Sequence, residues 1–122
     1  MKKLYLILSI CLGNIGFSQK VQWEHSLGVE HSEYLFDMIP TADYGFLLAG
    51  STLSDKTGDV TQAKKGTLDA WLWKMKENGD AEWQFSLGGD GTDFLKSVNH
   101  TADGGFILGI SSTSGKSGDK LE

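Results

Sequence analysis

Arginine is missing from all 122 residues, and cysteine and proline occur once each. Planar guanidinium forks are the usual means of gripping phosphates and guanine edges, so their absence argues against a nucleic-acid partner. The charge balance argues the same way. Eleven lysines stand against sixteen carboxylates, for a net charge of −5 at pH 7, which repels nucleic acid and anionic lipid alike. The sole cysteine, Cys11, lies in an apolar N-terminal stretch, which leaves residues 19–122 without a thiol, a disulfide or a cysteine metal site. A long hydrophobic run is lacking too: Leu4–Leu12 covers about nine residues, where a bilayer crossing needs about 20. Sustained helical periodicity is absent, as are H-E-x-x-H, G-x-S-x-G and any Cys/His metal spacing, the signatures of zinc proteases and serine hydrolases. At this length the chain holds one domain at most, with a modest core.

What is present begins with the three parts of a secretory leader. Lys2 and Lys3 form a positive n-region, Leu4–Leu12 an apolar h-region, and Gly16 and Ser18 the small residues a peptidase requires ahead of Gln19. Export is expected, with residues 1–18 as signal peptide and no membrane insertion after its removal. The mature chain then carries nine lysines and sixteen carboxylates, a net charge near −7. Lipidation at Cys11 requires a small residue just before it, and Ile10 holds that place.

The strongest internal signal is a repeat. "TADYGFLLA" at 41–49 returns as "TADGGFILG" at 101–109, a shift of 60 residues. The same shift pairs Trp23 with Trp83, Ser26-Leu27-Gly28 with Ser86-Leu87-Gly88, Leu35 with Leu95, Ser51 with Ser111, Ser54 with Ser114, and Gly58-Asp59 with Gly118-Asp119. Without a gap, 16 of 42 aligned positions are identical. Repetition on this scale marks stacked or radially arranged units that share a core.

Each unit reads as strands. Residues 34–39 are rich in strand formers and run up to Pro40. Gly45–Gly50 is a short apolar run whose length and flanking glycines favour a strand buried on both faces. Thr41–Gly45 between them is turn chemistry, with Asp43 closing an Asx turn and glycine supplying positive φ. Asp69–Met75 alternates Trp71, Trp73 and Met75 against Ala70 and Leu72, so both faces are apolar, as in a sheet lying between two others. Asn78-Gly79 is a hairpin signal, and Ala81–Leu87 returns as the next strand with Trp83 and Phe85 on one side. One unit thus holds four antiparallel strands in about 60 residues.

The pattern W-x-x-S-L-G-G, D-G-G-F-I-L-G, G-S-T-x-S, G-D-V, D-x-W-x-x-K and N-G-x-x-x-W resembles the propeller-type repeats of large secreted bacterial surface proteins. The resemblance covers essentially all of residues 21–122, once as a whole unit and once in part. It implies an all-β fold of antiparallel four-stranded blade repeats, an incomplete β-propeller-like fragment, and export to the cell surface or medium. Its residues are glycines, aromatics and turn formers, so it implies no chemistry. The expected organisation is a signal peptide at 1–18, a first β repeat at 19–82 and a second, truncated repeat at 83–122, which lacks counterparts of Val60–Asp80. A propeller closes with about four to eight blades. The chain is therefore expected to be a fragment of a longer protein, or a unit that meets further repeats or copies of itself to cover its sheet faces.

Candidate sites are few. Asp55 and Asp59, in the hydroxyl-rich loop Ser51–Leu68, are oxygen donors of the kind that hold calcium, but EF-hand spacing is not met and two carboxylates rarely suffice. Asp90 and Asp93 in "GGDGTD", with Glu30 and Glu33 at the matching places, suit either a ligand or a polar connection between sheets. No helix follows these glycines, so they are no dinucleotide fingerprint. His25, His31 and His100 do not recur at the shift, and Ser26, Asp43 and His100 lack the elbow that would make them a triad. Trp23, Trp71, Trp73 and Trp83 are platforms for sugar rings if exposed, but three of them fall in strands at core-like alternation, so packing is the expected role. The expectation is a non-enzymatic structural or binding scaffold with no catalytic, metal or cofactor residue, meeting a glycan or surface partner through its loops. The alternative is part of a propeller-fold glycan hydrolase or lyase, which needs paired carboxylates from different units.

Overall fold

A computed structural model describes residues 19–122; the leader expected at 1–18, with Cys11, lies outside the described residues. The described residues form six strands and no helix: β1 (Glu33–Pro40), β2 (Phe46–Thr52), β3 (Asp69–Met75), β4 (Ala81–Leu87), β5 (Asp93–His100) and β6 (Phe106–Ser112). Strands β1 to β4 make one antiparallel sheet in chain order, and β5 and β6 make a second, two-stranded one. Pro40 ends β1 inside the strand rather than beyond it. Because β1 lies at the sheet edge, its missing N–H breaks no ladder.

Successive side chains in a strand point to opposite faces, and in β2 and β3 both sets are apolar. One face carries Leu47, Ala49, Ala70 and Leu72, which pack against Leu95 and Val98 of β5. The other carries Trp71, Trp73 and Met75, covered by Val60, Leu27 and Val29. All seven residues of β3 are buried as a result. Each large apolar side chain so buried contributes about 1.5–3 kcal/mol, which places the core of the molecule on this central pair of strands.

The two hairpins share a register. Leu35 faces Gly50 and Leu95 faces Ile110, and in both a bulge follows before Asp37 or Ser97. The bulged residues are Phe36 and Lys96, and the Lys96 ammonium lies 4.8 Å from the Phe36 ring centre and 4.5 Å from that of Phe94. The turns match as well. Thr41 and Thr101 donate backbone N–H to Gly45 and Gly105, while Asp43 and Asp103 accept from the Thr41 and Thr101 hydroxyls and from the N–H of Gly45 and Gly105.

The positive φ expected of the glycine in this turn falls one residue earlier, at 64° on Tyr44 and 85° on Gly104. Gly45 is there for space. A Cβ on it would stand 2.2 Å from the Met75 carbonyl oxygen and 2.6 Å from Lys74 Nζ. The four-stranded sheet ends at Leu87, so the 82/83 boundary read from the repeat falls within β4. Val21–Leu27, which matches β4 in sequence, forms no strand. It lies beside β2 and β3, with Trp23 edge-on to Phe46 at 6.0 Å and His25 edge-on to Trp73 at 6.3 Å.

Candidate functional site

Strand ends and loops gather the polar residues along one rim, where the connection before a hairpin meets the loop after it. In the first hairpin, Ser54 Oγ donates to Glu33 at 2.9 Å and accepts from the His31 N–H at 3.2 Å, while Asp59 accepts from the Gly28 N–H at 3.0 Å. In the second, Ser114 Oγ donates to Asp93 at 2.8 Å and accepts from the Gly91 N–H at 2.9 Å, while Asp119 accepts from the Gly88 N–H at 3.1 Å. Asp59, Asp93 and Asp119 thus hold backbone donors, and Glu33 holds the hydroxyls of Ser54 and Thr52.

The candidate calcium residues are occupied in the same way. Asp55 accepts from the N–H of Lys56 at 2.8 Å and of Lys64 at 3.3 Å, which closes its loop. These bonds, Lys56 first, hold its carboxyl below the usual range. Asp90 accepts from the Ser117 hydroxyl at 2.7 Å and the Gly115 N–H at 3.0 Å, and its pKa is lowered by them in that order. Burial acts to raise the Asp93 pKa, but hydrogen bonds from Ser112, Gly89 and Ser114 outweigh it and the net direction is downward. Among the described residues, no three His, Cys, Asp or Glu side chains gather as a metal-binding group.

The loop 51–68 is held at several points along its length. Val60 is buried under the tryptophan face. Gln84 of β4 accepts from the N–H of Thr61 at 3.2 Å and from Trp71 Nε1 at 3.2 Å, and its amide donates to the Asp59 carbonyl at 2.6 Å. Lys65 Nζ reaches the Ser86 carbonyl at 2.7 Å and Asp119 at 2.6 Å, which ties the loop to the second hairpin's loop. This ion pair is the largest cause of the lowered Asp119 pKa.

One further acid lies deeper than the rim. Asp69, fully buried at the start of β3, accepts from the Gly66 N–H at 3.1 Å and also from the Lys65 N–H. A Cβ on Gly88 would stand 2.5 Å from Asp69 Oδ1 and 3.0 Å from Asp93 Oδ2, so carboxylates from β3 and β5 converge on this glycine. Both are engaged by backbone donors, Asp93 also by Gly89 N–H at 2.9 Å. The sequence clues to Asp69 are its place at the head of D-x-W-x-x-K and three residues after a glycine that its side chain can close upon.

Lys74 is the buried cation of the sheet, 2.7 Å from Asp43 and 2.9 Å from Glu82. Burial by itself lowers the Lys74 pKa, but hydrogen bonds to Asp43 and Glu82 outweigh it and the net direction is upward. Asp43 is driven well below the carboxylate range, first by Lys74 and then by Thr41. His100 bonds the Pro40 carbonyl at 2.8 Å, and no hydrogen bond joins any two of Ser26, Asp43 and His100. The His25 ring packs on Trp73 and the His100 ring bonds the Pro40 carbonyl, while His31 is held through its backbone N–H to Ser54.

The tryptophans divide. Trp71 and Trp73 are buried with ring centres 5.1 Å apart. Trp23 and Trp83 are 37% and 39% exposed, against the packing expected of both. Trp23 donates Nε1–H to the Glu77 carbonyl at 2.8 Å. It forms one wall of an apolar groove of about 490 Å³ on the outer face, opposite Leu35 and Met38, with Leu48 and Trp71 beneath. Chemically this groove offers apolar contact area. The Glu33 carboxylate at its edge is taken by Ser54 and Thr52. Comparison with protein-family models, with curated proteins and with solved structures finds no match for this chain.

Proposed function

We propose that the protein is an exported, non-enzymatic β-repeat scaffold, built of propeller-like sheet units and serving a structural or binding role, as part of a larger surface assembly. The observation that carries the reading is the recurrence, 60 residues apart, of one strand register, one bulge and one set of rim hydrogen bonds in two hairpins. Residues kept for turns and for sheet contact leave the solvent-facing loops as the variable part, where a glycan or surface partner is met. The acids of the rim hold loop N–H groups and hydroxyls, which suits shape-keeping better than bond cleavage.

Expression of the whole chain in a secreting bacterial host tests this. Exported protein begins at Gln19, and the purified material binds or ignores polysaccharides without releasing reducing ends or unsaturated sugars. Retention in the cell with Met1 intact, or turnover of any polysaccharide, overturns the proposal.

A further inference from the structure

The contact between the two sheets is heterologous: the face that the first sheet presents differs from the face with which the second hairpin meets it. The first offers Leu47, Ala49, Ala70 and Leu72, and the second answers with Leu95 and Val98, backed by Phe106 and Leu108. By the shift of 60, Leu95 and Val98 correspond to Leu35 and Met38, and Leu47 corresponds to Ile107. The burial of these equivalents is opposite. Leu95, Val98 and Leu47 are 0%, 1% and 0% exposed, whereas Leu35, Met38 and Ile107 are 63%, 55% and 62% exposed. The first sheet therefore leaves open a face of the kind β5 presents, and the second hairpin leaves open a face of the kind that receives it.

Resting on the scaffold reading above, we infer that the β1–β2 outer face is a docking surface for a second copy of this chain. It receives the outer face of that copy's β5–β6 hairpin in the geometry the two sheets already show within one chain. The socket is the groove between Trp23 and Leu35, and Leu27 lies at its rim, where Leu87 lies at the rim of the internal contact. A polar marker fixes the register. Inside one chain Ser51 Oγ donates to the Asp93 carbonyl at 3.2 Å and accepts from the Leu95 N–H at 3.0 Å. In the docked pair Ser111 takes the place of Ser51, between the carbonyl of Glu33 and the N–H of Leu35.

A heterologous contact of this kind propagates head to tail and either closes a ring or extends a filament. Asn99 and Gly109 stand where Ile39 and Ala49 stand in the internal contact, so the contact between copies is less apolar and forms at high protein concentration.

Amide exchange and cysteine cross-linking test the inference together. The Leu95 N–H is protected at every concentration, and the Leu35 N–H gains protection as concentration rises. In a Cys11→Ser background, Leu35→Cys and Ser111→Cys chains form mixed disulfide dimers when combined, and do so far more than either chain alone. Leu35→Asp or Ile107→Asp each weakens self-association about tenfold or more, since each sets a charge against an apolar face. Both side chains are exposed in the single chain, so folding is retained. Protection of Leu95 without any response at Leu35, or symmetric Leu35–Leu35 linkage, removes the docking inference and leaves the scaffold reading standing. Loss of protection at Leu95 itself removes both.

Discussion

Gly45 and Gly105 hold the same place in two matching turns, yet their surroundings differ. At Gly45 the third strand passes so close that a methyl group would meet the Met75 carbonyl, whereas at Gly105 the nearest atom is Thr101 Oγ1 at 3.1 Å. Gly45→Ala is expected to cost about 3 kcal/mol, in the range of overpacked sites, and Gly105→Ala well under about 1 kcal/mol. Urea denaturation of the two variants checks this. One residue earlier the order reverses. Tyr44 bears a positive φ with its ring 79% exposed, so Tyr44→Gly relieves left-handed backbone strain and raises stability by about 0.5–1 kcal/mol. The turn itself was legible in "TADYGF", because Asp43 acts on atoms two residues away. The reason for Gly45 was not, since Met75 lies thirty positions on. Lys74 makes the same point: the alternation of β3 does not announce a buried ammonium, and its partners come from a turn and from β4. Lys74→Met should lower stability by about 1 kcal/mol, less than for a fully buried pair, because Asp43 and Glu82 keep contact with water.

The strands were legible as elements because alternation is a local property, and β3 and β4 fall where the Trp-rich runs place them. Which face of each strand would be covered was not. Leu35 and Leu95 occupy one register position in two hairpins, and only the packing of β5 on β2 and β3 distinguishes them. Leu95→Ala is expected to cost about 2–5 kcal/mol through cavity formation, and Leu35→Ala under about 0.5 kcal/mol in the single chain. Thermal unfolding in dilute solution separates the two. The loop 51–68 likewise reads as long and polar, but the burial of Val60 and the two bonds joining Gln84 to Thr61 and Asp59 hold it to the sheet. The segment Val21–Leu27 is the converse: its likeness to β4 does not make it a strand, because it has no neighbour with which to form a ladder.

For the molecule as a whole, the carboxylates set the response to pH. Asp43, Asp55, Asp90, Asp93, Asp103 and Asp119 all ionise below their ordinary value in the folded chain. The unfolded carboxyls titrate near pH 3.9, so as pH falls the unfolded chain takes up protons first and stability drops from below about pH 5. Lys74 acts on the other limb: its raised pKa contributes stability below about pH 10, lost as pH rises through the folded value. Urea midpoints at pH 7, 5 and 3 should fall in that order. The sequence by itself determined the all-β character, the turns and the recurrence of acids at the rim, because alternation and turn chemistry act over a few bonds. Only the tertiary structure decided that those acids hold backbone N–H groups or hydroxyls and that one sheet face is filled while its equivalent stays open. Both depend on partners brought from distant parts of the chain, and no spacing along it encodes their distance.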